Sequence, residues 1–367
     1  MTNGQEPTLQ SKFQGVSLGA LFGDCFGARF EHMKGTPMEE VIVHFDEVVE
    51  KVNTSEAQTE NSVEKGFMGY TDDTCMTFDL GEALVDKKGY NAKYVLKKFT
   101  QTFLAAPLER NYGDSVRKIF YKLKTVGFRG DPYELASKQF DGSGSYGNGS
   151  AMRVSPVPLF HHNCIPEMVT LASNQSKLTH SNPKGINGAI FQTLSIEKAM
   201  TTEKITDMGK YCRELFEQLK ETTPAQEDLG VYEEKIENIV NLLNADHEVT
   251  LEEINDKIGT GVAAYQSVPA ALFCFLQTLD ESKISKLSKF NGMVRTAIYA
   301  TAMCHDSDTV ASMSCAMAGA YYGVESVPSE WVWACEGSDR ALKIANALFE
   351  INKSDGNKSK DKQCKLM

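Results

Sequence analysis

The chain has 367 residues and a formal net charge of −11, from 49 acidic and 38 basic side chains. That balance argues against a general binder of nucleic-acid backbones, which needs basic surface. No run of about 18 apolar residues is present, so no membrane-spanning helix is expected. Residues 1–10 are polar, lack the apolar segment of a secretion signal and read as a disordered lead-in. The nine cysteines are scattered without zinc-type spacing. They are expected to be reduced thiols in an intracellular protein, cytoplasmic or nuclear, not secreted.

Residues 13–30 carry Gly15, Gly19, Gly23 and Gly27, one glycine every fourth residue. On a helix this makes a smooth stripe that a second backbone can approach closely. Interior glycines cost stability unless tight packing offsets it, so the spacing predicts a central, buried helix. Its end brings Asp24, Arg29, Glu31 and His32 to the edge of the core. Residues 46–66 are polar and read as loop. Apolar spacing predicts helices over 71–86, 93–104 and 113–125. Four glycines interleaved with Ser, Tyr and Asn then break regular structure between Phe140 and Met152. Exposed N–H groups in such a loop can cradle an anion, or the loop is a tight connector. The Lys-Ser/Thr ending of a nucleotide-binding P-loop is missing.

Helices predicted over 167–179 and 185–200 flank Thr179-His180-Ser181-Asn182-Pro183. A lone histidine there is more often a capping or core residue than a ligand. Residues 203–258 are charged, amphipathic helical material of an outer layer. Residues 262–279 are apolar, interrupted at Pro269. A buried helix over 295–303 leads into Cys304-His305-Asp306, and small residues dominate 311–320. Strand-like alternation is scarce. The reading is a single, compact, all-α domain over 11–352, with a flexible basic tail over 353–367.

Two helix starts stand out. Thr71 is a candidate N-cap that places Asp72 and Asp73 in a first turn. Acids are favoured there by the helix dipole alone, so a purely structural role is open. Asp306-Ser307-Asp308-Thr309 opens a second helix in the same style. If the two starts meet, four carboxylates share one small volume and cannot all stay ionised without a counter-charge. Hard divalent cations with a preference for oxygen answer that need. Adjacent aspartates on a helix point in different directions, so Asp72 and Asp73 suit two ions better than one.

The motifs together carry a resemblance. Gly19-Ala20-Leu21-Phe22-Gly23-Asp24-Cys25, Tyr70-Thr71-Asp72-Asp73-Thr74, Gly144-Ser145-Tyr146-Gly147-Asn148-Gly149, Leu178-Thr179-His180 and Asp306-Ser307-Asp308-Thr309 resemble the ADP-ribosylhydrolase (ADP-ribosylglycohydrolase) family, most closely its type-3 branch. Ser267-Val268-Pro269 and the stretch 318–323 fit the same order. The resemblance implies a single orthogonal helical domain with a binuclear Mg²⁺ site at clustered helix N-termini. It implies hydrolysis at C1″ of ADP-ribose, with ADP-ribose, serine-ADP-ribosylated proteins, poly(ADP-ribose) or O-acetyl-ADP-ribose as partners. Thr71, Asp72, Asp73, Asp306, Asp308 and Thr309 match the metal ligands. Glu31 matches the mobile glutamate beside the scissile bond. Ser145, Tyr146, Gly147 and Asn148 match the loop that holds diphosphate and distal ribose. Phe140, His180 and the Tyr112-Gly113 turn match other ligand-facing positions.

The chain departs from the family where Cys304 and His305 replace two glycines before the second acidic pair. Larger side chains there would crowd the substrate or alter the metal geometry. That keeps two rival readings open: a structural lens protein like the J-crystallins of jellyfish, which resemble the same family, or an ADP-ribose binding module without turnover. Cys364-Lys365-Leu366-Met367 fits a prenylation signal, a weak anchor by itself, or a basic tail that ends so by chance.

Overall fold

The computed structural model describes residues 6–31, 33, 35–56 and 64–364. Thr8 accepts a hydrogen bond from Ser11 N at 3.1 Å and caps α1 (Leu9–Gly27), which α2 (Met38–Glu56) follows. Thr71 caps α3 (Asp72–Lys87) and Asn91 caps α4 (Ala92–Ala105); α5 (Asp114–Val126) comes next. The short α6 (Glu134–Ser137) and α7 (Pro156–Phe160) bracket the glycine-rich loop. Then come α8 (Ile165–Lys177) and α9 (Pro183–Thr201), the latter capped by Asn182. An outer layer holds α10 (Met208–Thr222), α11 (Leu229–Leu243) and α12 (Leu251–Lys257), which starts in a reciprocal Thr250–Glu253 capping box. The chain re-enters the core as α13 (Ala264–Gln277), α14 (Gly292–Met303) and α15 (Ser307–Tyr322), and closes with α16 (Ser329–Ala334) and α17 (Ser338–Cys364). The all-α expectation holds: no strand occurs among the described residues, and none of their helices is long and apolar enough to cross a membrane.

The glycine stripe sets the centre. A methyl group on Gly15, Gly19, Gly23 or Gly27 would lie 2.3, 2.2, 2.3 or 2.5 Å from the carbonyl oxygen of Gly319, Cys315, Ala311 or Ser307. The partner numbers fall by four as the glycine numbers rise by four, so α1 and α15 run antiparallel with touching backbones. The C-terminal end of α1 therefore meets the start of α15. Helices α9, α13 and α14 surround α15, and α17 covers α1, α3 and α7.

Three boundaries differ from the sequence reading. The first helix starts at Leu9, inside the expected lead-in. Residues 46–56 belong to α2, whose Val41, Phe45, Val48 and Val52 form a buried face. The last helix runs to Cys364 through the expected tail. Residues 1–5, His32, Lys34, 57–63 and 365–367 lie outside the described residues, and with them most of the candidate prenylation signal.

Candidate active site

The start of α3 is held from behind. Thr71 Oγ1 accepts from Asp73 N at 3.3 Å, the expected N-cap. Asp24 of α1, fully buried, accepts from Thr71 N at 3.0 and 3.1 Å, from Thr71 Oγ1 at 2.9 Å and from Thr74 N at 3.0 Å. Thr74 Oγ1 also donates to it. Burial pushes the Asp24 carboxyl up, against the pull of these donors. Arg110 adds a clamp. Its guanidinium lies 3.8 Å from the Tyr70 ring centroid, donates to Tyr70 O, and pairs with both Glu336 oxygens at 2.7 and 2.8 Å.

The start of α15 arrives opposite. Asp306 N donates to Thr260 O at 3.1 Å, and Ser307 Oγ donates to Gly27 O at 3.0 Å. Thr309 Oγ1 donates to both Asp73 oxygens, at 3.2 and 3.1 Å, so the two starts meet as expected. Carboxylate oxygens of Asp24, Asp73 and Asp308 lie within 4.8 Å of one another, and so do those of Glu31, Asp306 and Asp308. Asp308 belongs to both trios; Asp72 belongs to neither but lines the cleft beside them. Burial first, then neighbouring carboxylates, pushes Asp72, Asp73 and Asp308 well above the usual carboxylate range. A buried, all-oxygen donor set under mutual repulsion fits hard divalent cations.

Above these acids lies a cleft of about 290 Å³. One wall is the glycine-rich loop, with Ser145, Gly147, Asn148 and Gly149. Asn148 N donates to Val262 O at 2.9 Å, Ala264 N to Tyr146 O at 3.0 Å and Asn182 N to Ser145 O at 3.3 Å, which fixes the loop. Gly144, at φ 71°, presses on Ser181 and Asn182 where no side chain fits. A methyl on Gly149 would sit 2.8 Å from His180 Cε1, so the loop packs directly on that ring. Below it the buried Arg153 donates to Gly149 O at 3.1 Å and to Gln175 Oε1 at 2.7 Å. Asn148 Nδ2 donates to Asp306 Oδ2, joining loop to acids.

His180 lines the cleft with Nδ1 2.8 Å from Thr179 Oγ1. Burial, then Arg153, pushes its imidazole down to about 3, so it is neutral at pH 7. Gly113 lines the cleft too, whereas Tyr112 packs behind it against Phe103 and Phe120, with ring centroids at 5.1 and 6.2 Å. Phe140 and Tyr146, about half exposed, are not part of the lining; the Tyr146 ring stands 6.0 Å from that of Tyr265. Glu31 lines the cleft, and Asn111 Nδ2 donates to its Oε2 at 2.9 Å.

Cys304 and His305 turn away from the cleft. The Cys304 thiol is buried with Sγ 4.0 Å from Cys274 Sγ, and His305 Nδ1 lies 2.9 Å from Thr260 Oγ1. Neither lines the cavity, so the crowding expected of them does not arise there. Two residues that sequence reasoning left without a role are placed in the site: Asp24 as the anchor of Thr71 and Thr74, and Asn111 as the donor to Glu31. The Asp24 signal was its place beside Gly23 in a motif; Asn111 gave none.

The ADP-ribosylglycohydrolase family model matches residues 5–358. The chain belongs to the ADP-ribosylglycohydrolase family. It is 35% identical to the mouse (Mus musculus) protein named ADP-ribosylhydrolase ARH3 over 352 residues, covering 93% of this chain and 92% of that one. Identity to the human (Homo sapiens) ADP-ribosylhydrolase ARH3 is 33% over 350 residues, with 93% of each chain covered. A solved ADP-ribosylglycohydrolase-related protein complex contains a chain that superposes with a TM-score of 0.64 at 19% identity, covering 94% of this chain and 98% of that one, which shows the shared fold. The resemblance seen in the motifs thus extends over nearly the whole chain.

Proposed function

We propose that the chain is an Mg²⁺-dependent hydrolase that releases ADP-ribose from O-linked substrates: serine-ADP-ribosylated proteins, poly(ADP-ribose) or O-acetyl-ADP-ribose. Family membership and the likeness to the ARH3 proteins support the reaction class. The observation that carries the reading is the position of Glu31. Its carboxylate lies within 4.8 Å of Asp306 and Asp308 and lines the same cleft as the glycine-rich loop.

Asp73 and Asp308 on one side, and Asp306 and Asp308 on the other, would hold two ions, with Thr71, Asp72 and Thr309 as added oxygens, while Asp24, its oxygens taken by the Thr71 and Thr74 donors, braces the α3 start from behind. Bound cations would supply positive charge to the ribose hydroxyls and the attacking water. The rest falls to the chain. Glu31 moves a proton between water and leaving group as the glycosidic bond at C1″ opens through an oxocarbenium-like state. Backbone N–H groups of the loop hold the diphosphate. Neutral His180 and the Gly147–Gly149 backbone fix the sugar end, so positioning contributes much of the rate. Tyr146, between the cleft-lining Ser145 and Gly147, and the exposed Phe140 would contact the distal part of the ligand.

The test is release of ADP-ribose from a serine-ADP-ribosylated peptide by the native chain and by Glu31→Gln, each with Mg²⁺ and with EDTA. Release that needs Mg²⁺ and falls by at least about 10²-fold in Glu31→Gln is expected, the usual scale for a lost proton-transfer group. No release from a folded native chain that still binds ADP-ribose would reject catalysis in favour of a binding module or a J-crystallin-like role. The turn of Cys304 and His305 away from the cleft supports the enzyme over those rivals.

A further inference from the structure

A second cavity, a groove of about 440 Å³, adjoins the first. Glu31 and Asn111 line both cavities, so this hydrogen-bonded pair is their shared wall. The far side of the groove is built by α4, α5 and the turn between them, through Phe103, Leu104, Leu108, Arg117, Tyr121 and Lys124. We infer that this groove receives the leaving group, and that its occupant is the next nucleotide unit of an ADP-ribose polymer, with diphosphate at Arg117 and Lys124 and base against Tyr121 and Leu108.

The inference rests on the proposed hydrolase reading, in which the scissile bond lies at Glu31. The ADP-ribose to be released then fills the cleft of the loop and the acids. Whatever it was attached to must lie beyond Glu31, where the groove begins. Charge identifies the occupant as an anion. Helix α5 carries Arg117, Lys118, Lys122 and Lys124 against one acid, Asp114, in a chain of net charge −11. Arg117 is tied to Asp114 by a 3.5 Å contact between exposed groups, a pairing weak enough for a phosphate to replace.

The apolar lining separates a nucleotide from an acidic peptide. Tyr121 is 51% exposed and meets Phe103 edge-on, with centroids 5.1 Å apart and planes at 79°. Leu108, at the groove mouth, is 87% exposed. An aromatic face and an aliphatic residue beside two cations make a platform for a stacked base next to its phosphates. A peptide carboxylate would use the cations and leave the platform bare.

The test uses the full chain with Glu31→Gln to suppress turnover, in Mg²⁺, and compares binding of ADP-ribose with that of a four-unit ADP-ribose oligomer. The oligomer should bind roughly tenfold more tightly, the scale of one stacked base. Arg117→Ala with Lys124→Ala should remove that advantage and flatten its salt dependence, and Tyr121→Ala should remove part of it. Affinity for ADP-ribose itself should stay within about twofold in these variants, since the groove lies beyond Glu31. Equal binding of oligomer and monomer, or an equal loss for both in the variants, would overturn the inference. So would a preference for an acidic ADP-ribosylserine peptide that the double variant removes, without one for the oligomer. Binding is read without turnover, so a native chain that releases no ADP-ribose counts against the hydrolase reading and leaves this measurement intact.

Discussion

Gly27 couples the packing of the core to the geometry of the acids. A methyl group there would lie 2.5 Å from Ser307 O, 2.6 Å from Asp308 Cα and 2.7 Å from Asp308 N. Unstrained carbon contacts need about 3.5–4.0 Å, so in Gly27→Ala the first turn of α15 must retreat by about 1 Å. Overpacking of this kind costs about 1–3 kcal/mol, and the better helix preference of alanine offsets about 1 kcal/mol. The net loss of about 0–2 kcal/mol lowers the thermal midpoint by at most a few degrees in a chain this long. The site suffers more. The displaced turn carries Asp308, common to both trios, and Thr309, bonded to Asp73. A misplacement of about 1 Å near the chemistry costs about 10²-fold in rate. Gly15→Ala is the comparator: its methyl would meet Gly319 O at 2.3 Å at the far end of the same stripe. The assay is kcat/KM for ADP-ribose release from a serine-ADP-ribosylated peptide, per folded molecule, alongside thermal melts of both variants. The expected result is a similar loss of stability in both and a loss of about 10²-fold in kcat/KM for Gly27→Ala alone. Equal kcat/KM in the two variants, within about threefold, would refute the argument that the stripe sets the acid spacing.

Mg²⁺ at about 100 times its dissociation constant should stabilise the native chain by about 2.7 kcal/mol, seen as a rise of about 5 °C or more in a melt against EDTA. Asp308→Asn, which removes an oxygen from both trios, should abolish that rise; an unchanged rise would exclude Asp308 as a ligand. In EDTA, Asp72, Asp73 and Asp308 hold protons in the folded chain above the pH at which the unfolded chain loses them. Asp79, pushed up to about 6 mainly by burial, adds to the same trend. The folded state then binds more protons than the unfolded one, so urea midpoints should fall as pH rises above about 4. The fall should be shallower in Asp308→Asn, and a rising midpoint would contradict the assignment. Asp24→Asn swaps one acceptor oxygen for a donor facing the Thr71 and Thr74 donors. It should cost about 2 kcal/mol in chemical denaturation, and no loss would mean that Asp24 does not anchor the α3 start.

The fold and the acid pairs were legible because their signals are local. Four glycines at four-residue spacing foretold a close helix pair, and Thr71 before two aspartates foretold a capped turn. The misread boundaries had local causes too. The window 46–66 cut α2 in half and hid the continuity of Val41, Phe45, Val48 and Val52, which together mark a helix face. What could not be read were side chains recruited across long separations. Asp24 holds the N-cap of a helix 47 residues later in the chain, and Asn111 reaches Glu31 across 80 residues. The turn of Cys304 away from the cleft and toward the buried Cys274 depends on α13 passing behind it. The motif order named the family, but which wall each side chain faces is a property of the assembled helices.

The pairing of α1 (Leu9–Gly27) with α15 (Ser307–Tyr322) also shapes how the molecule is made. On a ribosome α1 is made before α15, and its glycine stripe has no partner until residues 307–319 have been added. Contacts between such distant segments slow folding, because loop closure precedes the reward for making them. The buried Phe13, Phe22 and Phe26 of α1 wait longer still, for Phe349 and Trp331. The interval of synthesis between the two helices is the period in which this chain is most exposed to aggregation and to chaperones. Both acid trios also wait for that docking, since each contains Asp308, so cation binding would report the pairing of α1 with α15.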